Sequence, residues 1–397
     1  MNVLMLLDQQ FPPDERVMKE AITLSAIGHI IHILCVTYSK QKKYEVIEDV
    51  HVHRFYYPVS FHKKLTATYL VQPFHFFIWS LKVRQLLKQY KIDVIHVHDL
   101  PLSNVALRQK KMKQIKLVCD QHEYYSNWIT HAAHYNTRLG RIVRKLSNWK
   151  QYEQKMLSQA DLVITVEEPL RSAYIEEIGI NPDRIISVPN TPMQSVFNDE
   201  NIDEEIVKKY QDNFVIFYAG TIDILRGLNL VIESLPQLEK VIPNIKFVLA
   251  GRIAFGIDPV EDAKRLGVGH LLDYIGWVPL NKLPSYIKAS DICNHTPYTD
   301  SDEVNKTIAT KIYQYILMQK PIITSRAKMM ADLVVTNQIG YSVSTKDEYI
   351  DAVKKIYQDK KVIESIEINC QKISDRFTWE KTSVSLISGY GRLEKMV

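Results

Sequence analysis

The stretch NFVIFYAGTIDILRGLNLVIESLPQLEKVIPNIKFVLAG, residues 213–251, decides the fold class of this chain. It begins and ends with a short run rich in Val, Ile and Phe that closes on a glycine, and helical periodicity fills the space between the two runs. Strands buried on both faces and joined by a helix belong to a parallel sheet with helices packed on either side. The sequence therefore predicts an α/β fold.

The same alternation continues along the chain. Eleven strand-like runs are separated by helical segments, and eleven strands are too many for one sheet. The 397 residues also exceed one ordinary core and fit two domains. In order, the runs are NVLMLLD (2–8), HIIHILCVT (29–37), DVIHVHD (93–99), IKLVCDQ (115–121), DLVITV (161–166), RIISVPN (184–190), NFVIFYAG (213–220), IKFVLAG (245–251), LLDYIGWV (271–278), DICNHTP (291–297) and KPIITS (320–325).

A segment without strand pattern separates the sixth run from the seventh. VPNTPMQSVFNDENIDEE, residues 188–205, is rich in Pro, Asn and Asp, and we place the domain boundary near residue 197. Doubly wound sheets bind ligands at the carboxyl ends of their strands, so two such domains facing each other predict a cleft. QQFPPDERV follows the first strand in place of GxGxxG, and GxxxxGK[ST] is absent, which disfavours dinucleotide oxidoreductases and P-loop NTPases.

The sequence predicts a cytoplasmic protein. The amino terminus carries no basic leader, so we expect a strand there and not a signal peptide. The most apolar window, residues 69–83, is interrupted by Gln72, Pro73 and His75 and falls short of the roughly 20 residues that span a bilayer. The four cysteines lie far apart and are predicted to be buried free thiols: Cys35, Cys119, Cys293 and Cys370.

Positive charge is concentrated in the first half of the chain. Residues 51–150 contain 17 lysines and arginines but only four acids, although the net charge of the whole chain is +5. Runs such as RQKKMKQIK (108–116) and RLGRIVRKLSNWK (138–150) interleave these charges with apolar side chains. Two interpretations stay open, solvated helix faces or contact with a membrane surface of acidic lipids. Nucleic acid is not expected, since no recognised binding motif accompanies the charge.

The first loop, within DQQFPPDERVMKEA (8–21), ends a strand and opens a helix. Asp14 is placed as the helix N-cap, and Arg16 lies in the first turn. A helix N-terminus presents free amides and partial positive charge, which suit a phosphate or an acceptor oxygen. Capping alone also explains Asp14, so both interpretations stay open.

Histidines stand near two predicted strand ends. His122 and Glu123 follow the run IKLVCDQ at the predicted binding edge, and a zinc-protease motif fails because position 126 is serine. His96 and His98 alternate along one strand and point to the same side. No further ligand set for them is evident in the sequence, so no metal site is predicted.

An arginine opens the helix after the seventh run. In FYAGTIDILRGL, a strand ends at Gly220 and Arg226 begins the helix. A guanidinium beside a sheet edge is suited to clamp a diphosphate, and a solvated arginine is the alternative. VLAGR (248–252) and YIGWVP (274–279) also end a strand on glycine, where the backbone can approach a flat base closely.

Taken in order, nine segments resemble glycosyltransferase family 4. The resemblance runs from residue 2 to near residue 390, and FTWEKTSVSLISGYGRL is similar to the family's helix that crosses back to the first domain. It implies an α/β GT-B fold with two doubly wound, Rossmann-like domains facing a central cleft. Residues 1–197, completed by helix 378–397, would bind the acceptor, and residues 198–377 would bind the donor. The nine segments are PPDERVMKEA, IHVHDLP, CDQHEYYSNW, DLVITVEEPL, SVPNTP, YAGTIDILRGL, VLAGR, IGWVPLNKLPSYIKASDI and TKIYQYILMQKPIITS.

The resemblance also implies roles for residues of both domains. His122 would lie beside the reacting sugar, Arg226 would hold the diphosphate, and Lys311 would contact donor phosphate and sugar, so these three are the predicted catalytic residues. The predicted donor-binding residues are Gly220, Thr221, Gly251, Arg252, Gly276, Val278, Lys306, Thr310 and Gln314. The predicted acceptor-side residues are Pro13, Asp14, Arg16 and Glu123.

Three positions depart from the family's pattern. Lys306 and Gln314 stand where the family commonly has two acids, and Thr221 replaces a phosphate-binding arginine. Asp302 and Glu303 are candidates for a displaced acid. A glutamine in place of a glutamate at one ribose contact costs on the order of 1 kcal/mol, so loss of activity does not follow. The positive charge of Lys306 favours an acidic donor sugar.

We therefore expect a retaining glycosyltransferase that uses a UDP- or GDP-sugar and needs no metal or other cofactor. Its expected acceptor is a lipid-linked glycan in bacterial surface polysaccharide synthesis. The basic segments of residues 51–150 would hold it peripherally on the inner face of the membrane. The alternatives are a catalytically silent subunit that binds a partner transferase or the membrane, and a nucleotide-sugar epimerase.

Overall fold

The computed structural model describes residues 1–66, 68, 70, 73–129, 145–254, 256–300 and 302–395. Part of the basic run 138–150 and the side chain of Glu303, one candidate for a displaced acid, lie outside the described residues. The chain divides into two compact units: unit 1 comprises Met1–Asn190 and Ser383–Val397, and unit 2 comprises Thr191–Thr382. The sequence had placed these divisions near residues 197 and 378.

Within the described residues, unit 1 is built on one sheet of eight strands. The strands are β1 (Asn2–Leu7), β2 (Ile30–Thr37), β3 (Tyr44–Ile47), β4 (Val50–Tyr56), β5 (Val94–His98), β6 (Lys116–Gln121), β7 (Leu162–Thr165) and β8 (Ile185–Ser187). Their order across the sheet is β3-β4-β2-β1-β5-β6-β7-β8. All neighbours run parallel except β3, which forms an antiparallel pair with β4.

Helices connect these parallel strands, as the sequence pattern predicts. They are α1 (Glu15–Ala26), α2 (Val59–Thr66), α3 (Phe74–Gln89), α4 (Ser103–Lys113), α5 (Tyr125–Trp128), α6 (Leu146–Leu157) and α7 (Glu168–Ala173). The central strands are buried over their whole length, and β5 has no exposed residue between Val94 and His98. A strand buried on both faces has no solvent side, so its polar residues must find partners inside the protein.

Unit 2 is built on a sheet of six described strands, all parallel, in the order β11-β10-β9-β12-β13-β14. The strands are β9 (Phe214–Ala219), β10 (Ile245–Ala250), β11 (Leu272–Gly276), β12 (Ile292–His295), β13 (Ile322–Ser325) and β14 (Gly340–Val343). The helices are α8 (Glu204–Tyr210), α9 (Asn229–Leu238), α10 (Pro259–Arg265), α11 (Leu283–Lys288), α12 (Asp302–Lys306), α13 (Thr310–Leu317), α14 (Lys328–Thr336), α15 (Lys346–Gln358) and α16 (Lys360–Ser374).

The last helix, α17 (Trp379–Glu394), begins in unit 2 and completes unit 1. It packs closely on the edge of the first sheet, because a Cβ added at Gly389 would lie 2.8 Å from Ile186 Cδ1. The hydroxyl of Tyr390 lies 2.8 Å from His96 Nδ1 on β5. The predicted return of the C-terminal helix to the first domain is confirmed.

All eleven predicted strands are present, and three further strands were missed. β3, β4 and β14 lack a continuous apolar run: β3 alternates between exposed and half-buried residues, β4 carries two histidines and an arginine, and β14 has one fully buried residue. The four cysteines are buried and free, as predicted. Among the described residues, no helix is both long and apolar enough to cross a bilayer.

The strand order identifies one position in each unit where a ligand is expected. In unit 1 the connections diverge on either side of β1 and β5, and in unit 2 they diverge between β9 and β12. Open α/β sheets bind ligands beyond the carboxyl ends of the strands at such switch points. The residues that follow these strands therefore form two candidate sites, one in each unit.

Candidate functional site

The first loop of unit 1 leads into α1 with Asp14 as its N-cap, as predicted. The Asp14 carboxylate accepts a hydrogen bond from the backbone amide of Val17 at 3.0 Å and a second from the side chain of Gln9. Capping thus accounts for this residue. Pro13 is exposed and Glu123 is half-buried.

Arg16, predicted to face the acceptor, is buried beneath the carboxyl edge of the sheet with only 4% of its surface exposed. Its Nη2 and Nε donate to the two carboxylate oxygens of Asp120 at 3.0 and 3.2 Å, and Nη1 donates to the carbonyl of Val188 at 2.9 Å. Nη2 also lies 3.0 Å from Glu20 Oε1. The guanidinium is therefore committed to a buried ion pair that fixes Asp120.

His122 stands on this fixed carboxylate. Its Nε2 lies 2.8 Å from Asp120 Oδ2, and its Nδ1 lies 3.7 Å from Asp99 Oδ1, while about one fifth of the side chain (21%) reaches solvent. Burial lowers the pKa of His122, but the carboxylates of Asp99 and Asp120 outweigh it and raise the pKa to about 10. The predicted catalytic histidine is thus an imidazolium at neutral pH, a hydrogen-bond donor and not a general base.

Asp120 remains ionised for the same reason. Burial would raise its pKa, but Arg16 and then His122 hold the pKa well below its usual value. His98 Nδ1 also lies 3.1 Å from Asp120 Oδ2. One buried carboxylate thus orients two histidines at the carboxyl ends of β5 and β6.

The structure supplies the further ligands that the sequence did not reveal for His96 and His98. Glu20 and Asp120 lie beside them, and one possible ligand atom from each of the four residues falls within 4.8 Å of the others. The guanidinium of Arg16 is 3.0 Å from both carboxylates, however, so a cation already neutralises this cluster. A divalent metal does not fit beside that buried positive charge.

In unit 2, the loop after β9 holds Arg226 at the carboxyl edge of the sheet. The backbone amide of Tyr298 donates to the carbonyl of Leu225 at 3.0 Å, which ties this loop to the one after β12. Gly227 has φ +62°, and a Cβ there would stand 2.0 Å from the carbonyl oxygen of Thr296, so only glycine allows this approach. Arg226 Nε lies 3.4 Å from Asp223 Oδ2 and has no hydrogen-bond partner among the described residues.

Lys311 reaches the same edge from the first turn of α13. Its Nζ lies 4.0 Å from the centroid of the Tyr218 ring, and a Cβ at Gly220 would come within 2.7 Å of that nitrogen. Burial, and secondly the charge of Arg226, hold the pKa of Lys311 well below its usual value. Two predicted catalytic residues, Arg226 and Lys311, are therefore neighbours in a partly dehydrated site without a neutralising anion among the described groups.

His295, the last residue of β12, belongs to this site and was not predicted. The imidazole is buried, its Nδ1 has no hydrogen-bond partner among the described residues, and burial followed by Lys311 and Arg226 lowers its pKa well below the usual value. Thr324, its register partner on β13, also has a buried hydroxyl that is unpartnered there. Unpaired buried polar atoms at a switch point indicate a polar ligand. The sequence signal was the polar end of DICNHTP, an otherwise apolar run.

The other predicted donor-binding glycines end neighbouring strands. The amide of Gly220 donates to Ala250, and the amide of Gly251 donates to Gly276, at 3.0 and 2.7 Å. A Cβ on Gly251 would meet the carbonyl oxygen of Gly220 at 1.7 Å, so the strand ends lie too close for any side chain there. The remaining predicted residues here are exposed or half-buried: Thr221, Arg252 and Val278.

The residues that depart from the family's pattern have different surroundings. Gln314 is buried one turn after Lys311 on α13, so the two side chains lie on one face of the helix. Thr310 begins that helix. Lys306 is half exposed, and its Nζ lies 3.5 Å from Asp302 Oδ2. Asp302 thus pairs with the lysine that occupies one of the expected acidic positions.

Two sequence families match the chain. The family described as Glycosyltransferase Family 4 matches residues 16–191, and the family described as Glycosyl transferases group 1 matches residues 199–372. Together these two ranges include most of both units.

The chain is also similar to individual proteins. It is 21% identical over 221 residues to one polypeptide of the phosphatidylinositol N-acetylglucosaminyltransferase of Arabidopsis thaliana, a match that covers 55% of this chain and 45%, less than half, of the relative's length. Sucrose-phosphate synthase from Thermosynechococcus elongatus matches with a TM-score of 0.77 at 15% identity over 100% of both chains. HepE from Anabaena in complex with UDP matches with a TM-score of 0.69 at 17% identity over 99% of this chain and 100% of that one. The structural likenesses show the GT-B fold.

Proposed function

Because the chain belongs to the glycosyltransferases, with a family 4 part at residues 16–191 and a group 1 part at residues 199–372, we propose that it transfers a sugar from a UDP- or GDP-sugar to a glycan acceptor with retention of configuration. The observation that carries this proposal is the group of Arg226, Lys311 and His295 at the switch point of unit 2. Their pairing requirements match a diphosphate, which offers the negative charge and acceptor oxygens that these groups lack.

The donor would bind with its diphosphate on Arg226 and Lys311. Breaking the bond between the anomeric carbon and the diphosphate oxygen leaves negative charge on that oxygen, and both cations favour its departure. A full positive charge on Lys311 is more favourable with the anion in place, so donor binding and protonation of this lysine support each other. The base would lie against the strand ends at Gly251 and Gly276. The binding of UDP by HepE supports a nucleotide in this position by analogy.

His122 would act in unit 1 as a fixed, charged hydrogen-bond donor near the reacting sugar. Its proton is held by Asp120 and Asp99, so it would bind a sugar hydroxyl or diphosphate oxygen and would not accept a proton from the acceptor. No enzymic nucleophile is assigned to the reaction. A leaving diphosphate oxygen would take the acceptor's proton as the new glycosidic bond forms on the same face of the sugar.

A lipid-linked acceptor in surface polysaccharide synthesis is proposed from the surface of α3. Phe74, Phe77 and Leu81 are at least half exposed and share one helix face with Arg84 and Lys88 in the following turns. Apolar side chains followed by cations suit the headgroup boundary of an anionic bilayer. This face would hold the protein peripherally on the cytoplasmic side of a membrane. It replaces residues 108–116 and 138–150 as the best-supported part of the predicted basic contact region, residues 51–150.

The second candidate is a silent subunit that binds a partner transferase or the membrane, and the altered positions Thr221, Lys306 and Gln314 favour it. Incubation with a panel of UDP- and GDP-sugars, with neutral and acidic sugars in each series, separates the two. Turnover or slow hydrolysis of one donor, abolished in Lys311→Met, supports the transferase. Nucleotide binding without turnover of any donor, with or without a glycan acceptor extract, supports the silent subunit.

A further inference from the structure

A second group of metal-binding side chains lies in unit 1, just beyond β1. Asp8 follows that strand, His62 belongs to α2, and His75 belongs to α3. His62 Nε2 lies 2.9 Å from Asp8 Oδ1, and His75 Nε2 lies 3.0 Å from Asp8 Oδ2. Both imidazoles therefore direct the same nitrogen at one carboxylate, although the three residues come from separate elements.

The other nitrogen of each imidazole has a tyrosine hydroxyl beside it. Tyr38 lies 3.0 Å from His62 Nδ1, and Tyr57 lies 3.1 Å from His75 Nδ1. A histidine that binds a metal through Nε2 carries its proton on Nδ1 and donates it to such an oxygen, which fixes the ring and raises its affinity. This outer pair of hydroxyls distinguishes the group from an ordinary salt bridge.

We propose that Asp8, His62 and His75 bind one divalent transition-metal ion, with Zn²⁺ as the best fit. Two imidazole nitrogens and one carboxylate oxygen are a ligand set that Zn²⁺ accepts, with bonds of about 2.0–2.2 Å. Tetrahedral bonds of that length hold ligand atoms about 3.3 Å apart. The observed separations of 2.9 and 3.0 Å need to open by only a few tenths of an ångström.

Binding needs no net change of protons when both rings are neutral. In the metal-free form, each Nε2–H donates to Asp8 and each tyrosine hydroxyl donates to Nδ1. On binding, the ring proton is carried on Nδ1, the hydroxyl rotates to accept it, and the freed Nε2 lone pair binds the ion. Water can carry these protons, since the side chains of His62 and Asp8 are 10% and 14% exposed.

The environment suits a bound ion better than the other histidine cluster in unit 1 does. His75 is fully buried, so the ion would sit at the inner end of a site with limited access. In the cluster of Glu20 and Asp120, Arg16 supplies the positive charge, whereas here the two oxygens of Asp8 face imidazoles that are neutral ligands in the metal-bound form. A metal here would tie β1, α2 and α3 together and stabilise unit 1. It takes no part in the proposed sugar transfer.

The test is titration of the full chain, without a polyhistidine tag, with Zn²⁺ by calorimetry and with Co²⁺ by visible absorption. We expect one ion per chain, tetrahedral Co²⁺ bands, and a higher melting temperature with Zn²⁺. His62→Gln should abolish the bands and weaken binding at least 100-fold. The matched control is His51→Gln, because His51 also has a tyrosine hydroxyl, that of Tyr44, 2.8 Å from its Nδ1, but lies outside the group.

Tyr57→Phe keeps all three ligands and removes one outer hydroxyl, so it remains informative where His62→Gln fails to fold. We expect it to weaken Zn²⁺ binding about 10- to 100-fold. The proposal is overturned by the absence of Co²⁺ bands in the unmodified chain, by binding that His62→Gln and Tyr57→Phe leave unchanged, or by equal losses in His51→Gln. A negative result leaves the sugar-transfer proposal intact, because donor turnover is measured separately in the presence of a chelator.

Discussion

Lys311 Nζ stands 4.0 Å from the centre of the Tyr218 ring, over its face, at the carboxyl edge of the second sheet. The aromatic face stabilises a cation, but burial and the nearby Arg226 disfavour it and lower the pKa of the lysine. An anion between Lys311 and Arg226 would reverse that balance. The following predictions begin with this coupling between charge and ligand.

Nucleotide binding should depend on Lys311 and on pH. The pKa of Lys311 is lowered in the free chain and would rise with a bound diphosphate, so protons are taken up on binding and affinity for UDP or GDP falls as pH rises through the interval between the two pKa values. Lys311→Met should weaken binding about 10- to 100-fold and flatten the pH dependence. Calorimetry in buffers of different ionisation enthalpy measures both effects. The control is Lys264→Ala, an exposed lysine on α10, and an unchanged affinity in Lys311→Met would refute the assignment.

His295→Asn should weaken donor binding about tenfold, because the imidazole is a buried polar group without a partner in the described chain. The effect should appear in the KM for the donor more than in kcat. His270→Asn is the matched control, since His270 is 60% exposed in its side chain and pairs with Glu239. Equal donor KM values for His295→Asn and the unmodified chain would exclude His295 from the site.

His122 should remain charged far above the usual range of histidine. Its pKa is raised from 6.5 to about 10, so its contribution to folding stability is fully present below pH 6.5 and is lost as the pH approaches 10. NMR of histidines labelled at Cε1 should show one imidazolium at pH 8.5 that is missing in His122→Gln. The same variant should lower kcat about 100-fold, the scale of losing one well-placed donor to a developing charge. Titration of His122 near pH 6.5 would contradict the assigned role.

The surface of α3 should bind anionic membranes. We expect the chain to sediment with vesicles that contain phosphatidylglycerol and to stay in solution with vesicles of phosphatidylcholine alone. Phe77→Ser combined with Leu81→Ser should weaken binding about tenfold or more by removing apolar insertion. Ile368→Ser on α16 removes an exposed apolar residue of unit 2 and serves as the control. Sedimentation that is equal for both variants would rule out α3 as the contact surface.

Gln314→Glu should change donor affinity modestly. Gln314 is buried one turn from Lys311, where a carboxylate would gain a stronger hydrogen bond to a sugar hydroxyl but repel a diphosphate. We expect less than a tenfold change in donor KM and little change in kcat. An increase in turnover of several hundredfold or more would instead show that the natural glutamine had suppressed catalysis, as the silent-subunit hypothesis requires.

The sequence predicted most of the fold because the central parallel strands are buried on both faces and read as continuous apolar runs. β3 and β14 escaped because sheet edges need no such run, and β4 because histidines and an arginine interrupt it. The site was predicted where a charged residue opens a helix, as with Arg226 and Lys311. Contacts between distant residues were not predictable: Arg16 meets Asp120 across 104 positions, so a residue expected to face the acceptor is instead buried. His295 was missed for a related reason, since nothing local separates a site histidine from a core one.

The most direct test of the central claim is a donor screen with the purified chain, in which release of nucleoside diphosphate is followed for each UDP- and GDP-sugar in a chelator-containing buffer. The account predicts that at least one donor is turned over, that the transferred sugar keeps its anomeric configuration, and that Lys311→Met and His122→Gln lose most of that turnover. Absence of binding and turnover with every donor, in a chain whose folding is confirmed by its melting transition, would contradict it.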